Sequence, residues 1–386
     1  MFFRRLGIVA CAALLAAACT SLRQVGEIGS ETKAEFDWRL PPGFAAPPVP
    51  ESNPVNAEKV ELGRRLFYDG RLSVNGTGSC ASCHKQELAF TDGRSHAIGV
   101  TGELHSRSSM SLVNVAYNKR YTWASNDLKT LEQQIRVPLF NQQPIELGLT
   151  GRESSLISDL KSNASYTTQF DWAFAGVADP VSIDNIIKAL ASFVRTIIAA
   201  DSPFDHLLYR DDRSAMSESA IRGMRLFYSD EIKCSVCHEG QNFAGGQAVP
   251  GHAQEAAEFH NTGLYNVENS DRYPESDPGL RIESGQAADD GKYRAPGLRN
   301  VALTAPYMHD GSIATLSEVI DHYAAGGRTI ENGPNAGVGS RNSNKSPFVS
   351  GFDINESAKF DLISFLESLT DNSLLIDPRF SKKQNQ

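Results

Sequence analysis

The residues with the clearest chemical potential are two Cys-x-x-Cys-His motifs, Cys80–His84 and Cys234–His238. Two thiols one helical turn apart can each form a thioether with a vinyl group of one haem. The histidine that follows can then bind the iron from the proximal side. A zinc site of four cysteines, the alternative, would leave both histidines without a role. We therefore expect two covalently bound c-type haems, held by Cys80, Cys83, His84, Cys234, Cys237 and His238.

Composition limits the functions that this chain can have. Its 386 residues are enough for two or three domains, and its net charge is −9. A nucleic-acid-binding protein needs a basic face for the phosphates, so the acidic balance argues against nucleic acid as a partner. Of the six cysteines, all but Cys11 and Cys19 belong to the haem motifs. A mature chain without these two has no thiol left for a disulfide or for nucleophilic catalysis.

The first residues predict export. An arginine pair precedes an apolar run over residues 6–18, which is too short to remain in a membrane as a spanning helix. We therefore predict a signal peptide over residues 1–18 and a periplasmic protein. Two routes stay open: ordinary signal-peptidase cleavage, or lipidation of Cys19, which would be the protein's one membrane contact, at the outer membrane. The lipoprotein pattern is imperfect, because Leu15 lies four rather than three residues before the cysteine.

The elements that position the two motifs are themselves duplicated. The sequence Gly-x-Arg-Leu-Phe-Tyr occurs at residues 63–68 and 223–228, each time before a haem motif and within a helical apolar pattern. A later amphipathic pattern, over residues 186–198 and 358–369, predicts a closing helix in each copy. The repeat predicts a mainly α fold with two cytochrome c-type haem domains in tandem and long loops.

The predicted domain boundaries follow this repeat. A proline-rich linker covers residues 19–56, because closely spaced prolines prevent regular structure. The N-terminal cytochrome c domain covers residues 57–210, and the C-terminal one covers residues 211–375. A tail over residues 376–386 completes the chain.

A long segment near the end, Arg294–Gly311, reads RAPGLRNVALTAPYMHDG. Together with the two haem motifs, it strongly resembles the bacterial dihaem cytochrome c peroxidase and MauG family, over about residues 57 to 370. The resemblance implies that the first haem reacts with hydrogen peroxide and that the second stores or delivers electrons.

The far side of the first haem is implied to be open. In the peroxidase branch of the family a histidine often caps this side in the resting enzyme, but Val100 stands at that place here. Valine cannot bind iron, so the first haem should be five-coordinate. His96 and His105 lie nearby, and either is an alternative as a displaced ligand.

The resemblance also implies which residues act on peroxide. The family places a glutamine, a proline and a glutamate over the site, and Gln134, Pro138 and Glu146 match these best. The loop between the proline and the glutamate is two residues longer here than in the family. A carboxylate suits the chemistry, because one group must take a proton from one peroxide oxygen and return it to the other.

The second haem's far ligand separates the branches of the family. Peroxidases use a methionine where this chain has Tyr323, and a tyrosine there is typical of MauG. A phenolate stabilises oxidised iron, whereas a thioether favours ferrous iron. Met308 and His322 remain competing candidates for the ligand.

Trp123 occupies the position of the family's tryptophan between the haems, where an indole can carry charge from one to the other. MauG also has a tryptophan two residues before its second haem motif, and Ile232 replaces it here. Any exit route for oxidising equivalents must therefore differ. Of the remaining tryptophans, Trp38 falls in the linker and Trp172 is predicted to lie in the core.

A calcium ion usually bridges the two domains in this family. It is held by an asparagine side chain and two backbone carbonyls, and Thr304 and Pro306 match the carbonyl donors. Ser108 replaces the asparagine, and its hydroxyl is a weaker oxygen ligand. The resemblance therefore predicts one Ca²⁺ at these residues.

Three functions compete. The first is a MauG-like enzyme that uses peroxide to form a high-valent dihaem state and oxidises Trp or Tyr residues of a periplasmic or outer-membrane partner protein. Segments 101–112 and 139–148 resemble the MbnH branch, whose members oxidise a tryptophan of a copper-binding partner, MbnP. The second is a dihaem peroxidase that takes electrons from a small cytochrome c or cupredoxin. The third, a pure electron-transfer protein, would leave Gln134 and Glu146 without a role.

Overall fold

The computed structural model describes residues 36–245 and 259–383. The predicted signal peptide, the lipidation candidate Cys19 and the last residues of the predicted tail lie outside these ranges. Within them, no helix is both long enough and apolar enough to cross a membrane.

The molecule is mainly helical, as the duplicated pattern predicted. The N-terminal half contains α1 (Ala57–Phe67), α2 (Cys80–Cys83), α3 (Leu131–Phe140), α4 (Glu153–Lys161), α5 (Ala164–Ala173) and α6 (Ile183–Arg195). The C-terminal half contains α7 (Pro203–Arg210), α8 (Glu218–Phe227), α9 (Cys234–Cys237), α10 (Arg281–Ser284), α11 (Leu316–Ala324) and α12 (Glu356–Glu367). Two short antiparallel pairs join β1 (Phe259–His260) to β2 (Tyr293–Arg294) and β3 (Thr329–Ile330) to β4 (Gly337–Val338).

Each half is built on one pair of closely packed helices, α1 with α6 and α8 with α12. Glycine permits the close approach in both pairs. A Cβ atom on Gly63 would lie 1.9 Å from the carbonyl oxygen of Ala189, and one on Gly223 would lie 1.9 Å from that of Asp361. The repeated glycine in the sequence is therefore the contact point between the two helices of each pair.

Aromatic side chains fill the space beside each helix pair. Phe67 of α1 packs against Phe193 of α6, with ring centroids 5.2 Å apart. Phe227 of α8 packs in the same way against Phe365 of α12, at 5.1 Å. In both halves, the phenylalanine of the repeated hexapeptide therefore packs against a phenylalanine of the second helix of the pair.

The two ends of the described chain pack against the body. The described part of the predicted linker has no helix or strand, yet Phe44 is buried in it and its ring lies 6.2 Å from that of Tyr117. In the predicted tail, Phe380 is only 2% exposed and contacts Phe90 and Phe193 of the N-terminal half. The folded body thus extends beyond the cytochrome-like segments at both ends.

The prediction of a core position for Trp172 is wrong, because its side chain is 65% exposed. Helix α5 buries Tyr166, Phe170 and Ala173, which share one face at helical spacing. Trp172 lies off that face and therefore points to solvent.

Candidate functional site

The two haem motifs form matching single helical turns. Helix α2 spans Cys80–Cys83 and α9 spans Cys234–Cys237, so each pair of thiols lies one turn apart. The backbone N–H of His84 donates to the Cys80 carbonyl at 3.0 Å, and that of His238 donates to the Cys234 carbonyl at 3.0 Å. Within the described residues, no three or more Cys, His, Asp and Glu side chains form a group that could hold a metal ion.

Both motif histidines are oriented by a phenylalanine carbonyl. The Nδ1–H of His84 donates to the carbonyl of Phe90 at 2.9 Å, and that of His238 donates to the carbonyl of Phe243 at 2.9 Å. The two phenylalanines share a left-handed backbone conformation, with φ of 60° and 53°. This bond fixes the tautomer and leaves Nε2 as the atom available to a metal. Burial also lowers the pKa of both histidines, which favours the neutral, ligating form.

A large cavity adjoins the C-terminal motif. Its empty volume is about 1460 Å³ including the solvent at its mouth, and Cys234, Cys237, His238 and Tyr323 all line it. Tyr323 comes from α11, and its hydroxyl makes no hydrogen bond to another described residue. Burial, with the two thiols nearby, raises the pKa of this phenol. A haem with a phenol on its far side fits this arrangement.

The competing ligand candidates are not equivalent in position. Met308 lines the same cavity as Tyr323, but His322 is not among its lining residues. His322 is the neighbouring residue on α11 and is buried, at 5% exposure. The choice between a phenol and a thioether ligand therefore rests on Tyr323 and Met308.

The N-terminal motif faces a carboxylic acid. The Leu147 N–H donates to the carbonyl of Pro138 at 2.9 Å, which ties the loop carrying Glu146 to α3. Burial raises the pKa of Glu146 to about 7. In turn the Glu146 charge adds to burial in raising the pKa of Cys80 and of Cys83, so the carboxyl group lies near both thiols.

The other residues predicted for the first haem site differ in burial and in their hydrogen bonds. The side-chain oxygen of Gln134, on α3, is buried without a hydrogen-bond partner in the described chain. The Val100 N–H donates to the Glu146 backbone carbonyl at 2.9 Å, so the two residues lie side by side. His96 is exposed, whereas the Nε2 atom of His105 is buried without a described partner.

A second cavity lies between the two halves. Ser109 and Met110, which line it, lie close to Cys83 and His84 of the N-terminal motif. Trp123 lines both this cavity and the C-terminal one, and its Nε1–H donates to the Ser108 carbonyl at 3.1 Å. The predicted linking tryptophan therefore contacts both the cavity of the C-terminal motif and the cavity between the two halves.

Arg294 was not predicted as a site residue from the sequence, where it is only the first residue of the segment Arg294–Gly311. It lines both cavities, is 5% exposed and has no carboxylate partner among the described residues. Burial lowers the pKa of its guanidinium to about 10. Its guanidinium donates to the carbonyls of Thr122 and Ala295, and a nearby anion would stabilise the buried charge further. The propionate groups of haem are anions of the right chemistry, so the residues present fit the cofactor.

The predicted calcium residues also meet at the second cavity. Ser108, Thr304 and Pro306 all line it. The Ser108 hydroxyl lies 3.3 Å from the carbonyl oxygen of His309 and 3.4 Å from that of Met308. The hydroxyl and these carbonyls are oxygen atoms, which is the ligand type that calcium prefers.

One repeated pair of asparagines was not predicted from the sequence. Asn114 and Asn300 both adopt left-handed backbone angles, with φ of 57° and 58°, and both begin a short 3₁₀ turn. Each side chain bonds the backbone just beyond the closing helix of its half, at Ala199 and at Asp371. The repeated sequence Leu-x-Asn-Val-Ala, at residues 112–116 and 298–302, was the signal that could have found them.

Comparison with known proteins agrees with this geometry. The family described as di-haem cytochrome c peroxidase matches residues 57–213. The chain is 32% identical to the cytochrome-c peroxidase IdrP1 of Denitromonas iodatirespirans, over 90% of this chain and 91% of that protein. The chain belongs to the dihaem cytochrome c peroxidase and MauG family. As a member it is a haem-dependent oxidoreductase of the peroxidase type with two c-type haems.

Two further relatives within this family bear on its branches. The chain is 30% identical to the methylamine utilization protein MauG of Methylorubrum extorquens, over 83% of this chain and 81% of that protein. It is also similar to the crystal structure of a MauG-like protein associated with microbial copper homeostasis, with 43% identity and a TM-score of 0.87. That similarity covers 90% of this chain and 99% of the other. Both branches of the family are thus represented among its relatives.

Proposed function

We propose that the protein is a MauG-like enzyme that uses hydrogen peroxide to oxidise tryptophan or tyrosine residues of a partner protein. The observation that carries this proposal is the phenol of Tyr323 in the cavity of His238, without another hydrogen-bond partner among the described residues. A phenolate opposite the histidine stabilises an oxidised iron, so this site would store an oxidising equivalent.

The two haems, when bound, supply the iron chemistry that cleaves peroxide and stores its two oxidising equivalents. His84 would hold the iron of the first haem, and Val100, which cannot bind iron, would leave room for peroxide. Glu146 takes the peroxide proton and returns it to the leaving oxygen, which a carboxyl group with a pKa of about 7 can do near neutral pH. Gln134 supplies a polar side chain over the same space, and Pro138 fixes the loop that carries the acid.

Trp123 is the proposed electronic link, because it lines both cavities. For the partner, we propose a copper-binding protein of the MbnP type, exported to the periplasm or outer membrane. The similarity to a MauG-like protein associated with microbial copper homeostasis supports this choice. An exported location, with or without lipidated Cys19, would place enzyme and partner in the same compartment.

We further propose one Ca²⁺ between the halves, bound by Ser108 and the carbonyl oxygens of Thr304 and Pro306. The shared cavity of these residues supports the site. Removal of calcium by a chelator should loosen the contact around Trp123, whose indole donates to the carbonyl of Ser108. Calcium content can be measured directly by elemental analysis of the purified holoprotein.

The deciding experiment mixes the diferric holoprotein with one equivalent of peroxide and no reductant. The proposal expects optical changes at both haems and retention of both oxidising equivalents until a partner is added. A requirement for prior reduction of one haem would contradict it. Tyr323→Met should change the spectrum of the second haem, with Tyr228→Phe, at an exposed tyrosine of the same half, as the control.

A dihaem peroxidase that draws electrons from a small cytochrome c or cupredoxin is the second candidate. Met308 favours it, because a thioether in the C-terminal cavity is the ligand type that the peroxidase branch uses. The similarity to IdrP1, named a cytochrome-c peroxidase, is in keeping with it. Met308→Leu separates the two candidates: a changed spectrum of the second haem supports the peroxidase, and an unchanged one supports the MauG-like enzyme.

A further inference from the structure

A column of buried tyrosines leads away from the C-terminal cavity. Tyr293 lines that cavity, where its ring stacks on His309 with centroids 3.8 Å apart. Tyr273 follows at 6.1 Å from Tyr293, and Tyr265 follows at 5.5 Å from Tyr273. All three tyrosines are less than 10% exposed and belong to one apolar cluster against which Trp123 packs. Rings at such separations are close enough to exchange electrons in steps.

The three hydroxyl groups differ in what accepts their protons. Tyr293 donates to the backbone carbonyl of Asp277 at 2.9 Å, and Tyr273 donates to the side-chain oxygen of Asn261 at 3.0 Å. Neither an amide nor a peptide carbonyl is a base at neutral pH, and the carboxylate of Asp277 near Tyr293 is already bound through both oxygens by the guanidinium of Arg107. Tyr265 instead donates to a carboxylate oxygen of Asp310 at 2.6 Å, a short charge-assisted bond.

That difference matters because a phenol that loses an electron becomes a strong acid. Its oxidation is favourable only where a base can take the proton in place. Burial acts to raise the pKa of Asp310, but the neighbouring His309 and two hydroxyl hydrogen bonds outweigh it and lower the pKa below its usual value. The carboxylate is therefore ionised and ready to accept.

We propose that Tyr265, with Asp310 as its proton acceptor, is an internal electron donor that the oxidised enzyme uses when no partner protein is bound. Tyr265 gives one electron, through Tyr273 and Tyr293, to the oxidant generated from hydrogen peroxide at the haem sites. Its O–H bond breaks, the proton passes to Asp310, and a neutral tyrosyl radical remains. The oxidant is reduced by one equivalent. This inference rests on the proposed peroxide reaction.

The test uses the full-length holoprotein without partner or reductant, mixed with one equivalent of peroxide and frozen at successive times. Electron paramagnetic resonance should show a tyrosyl radical, and Tyr265→Phe should lose it. Asp310→Asn should lose it as well, because the phenol remains but its base is gone. Tyr273→Phe should slow its appearance while leaving the Tyr265–Asp310 pair intact.

The chain offers a matched control in its N-terminal half. Tyr166 is also buried and also donates to a carboxylate, that of Asp69. Its ring neighbours are Phe170 and the guanidinium of Arg65, which cannot pass a hole to it readily. Tyr166→Phe should therefore leave the radical signal unchanged.

Each result bears on a different claim. If peroxide changes the haem spectrum in every variant but the radical survives Tyr265→Phe, then Tyr265 is not the internal donor. The proposed reaction with peroxide would still stand. A haem spectrum that does not respond to peroxide contradicts the proposed function, and the column then has no oxidant. A shifted haem spectrum before peroxide in Tyr265→Phe would show a structural role for the hydroxyl and would also overturn the proposal.

Discussion

The two halves of the molecule use the same proximal parts but different distal ones. In both, a glycine-centred helix pair supports a one-turn motif, and a phenylalanine carbonyl orients the histidine. The far side differs: a loop carrying Glu146 faces the first motif, whereas α11 presents Tyr323 to the second. The duplicated scaffold thus repeats the same proximal parts, whereas the segments around it place a carboxyl group near the first motif and a phenol near the second.

The two sites also differ in the pKa of the side chain beside each motif. Glu146 has a pKa of about 7, so it can gain and lose a proton near neutrality. The pKa of Tyr323 is raised by burial, so its phenol keeps its proton unless a metal displaces it. One site is suited to moving protons on each turnover, and the other is suited to a lasting bond with iron.

The largest expected effect is at the first motif and removes the carboxyl group that distinguishes it from the second. Glu146→Gln should slow the reaction of the diferric protein with peroxide by about 10²- to 10⁴-fold, because the amide cannot act as a base. Stopped-flow absorbance of the haems gives the rate constant. The wild-type rate should rise as pH increases through about 7, since the base must be ionised, and the variant should lose this rise.

The matched control is Glu87→Gln, at an exposed carboxylate beside the same motif. It should react with peroxide at the wild-type rate and with the wild-type pH dependence. A Glu146→Gln protein that matched it would remove Glu146 from the peroxide site.

An intermediate effect tests whether the two scaffolds are equivalent. Gly63→Ala and Gly223→Ala should each lower the free energy of unfolding by about 1–3 kcal/mol, because the new Cβ meets a backbone carbonyl that cannot move away. Urea unfolding followed by far-UV circular dichroism measures both. Ser158→Ala, on an exposed helical face, is the control. If only one glycine variant is destabilised, the two helix pairs are not packed alike.

The smallest expected effect concerns Trp172, which was wrongly predicted from the sequence to lie in the core. Trp172→Ser should change the free energy of unfolding by no more than about 0.5 kcal/mol, because the indole is mostly in solvent. Phe170→Ala, on the buried face of the same helix, should cost about 3–5 kcal/mol. Equal losses in the two variants would mean that Trp172 is covered in solution.

The sequence predicted the helical fold and the repeat well, because both depend on local signals. The spacing of Cys80 and Cys83, and the apolar pattern of α1, are visible within a few residues. These predictions rest on short stretches whose chemistry allows few alternatives.

What the sequence could not supply depends on contacts between distant segments. Trp172 looked like a core residue because its size gave no hint of which face of α5 would be buried. Arg294 could be identified as a site residue only from the structure, in which it lines both cavities. The pairing of Tyr265 with Asp310 joins residues 45 positions apart and has no local pattern.

Arg294 has a consequence for how the two haems respond to reduction. A single guanidinium that lines both cavities would balance charge on either side of it. An electron added to one haem would then be felt electrostatically by the other, as in any pair of strongly interacting sites. The midpoint potentials found in a redox titration would accordingly be macroscopic constants of the pair, and neither could be assigned to a single haem.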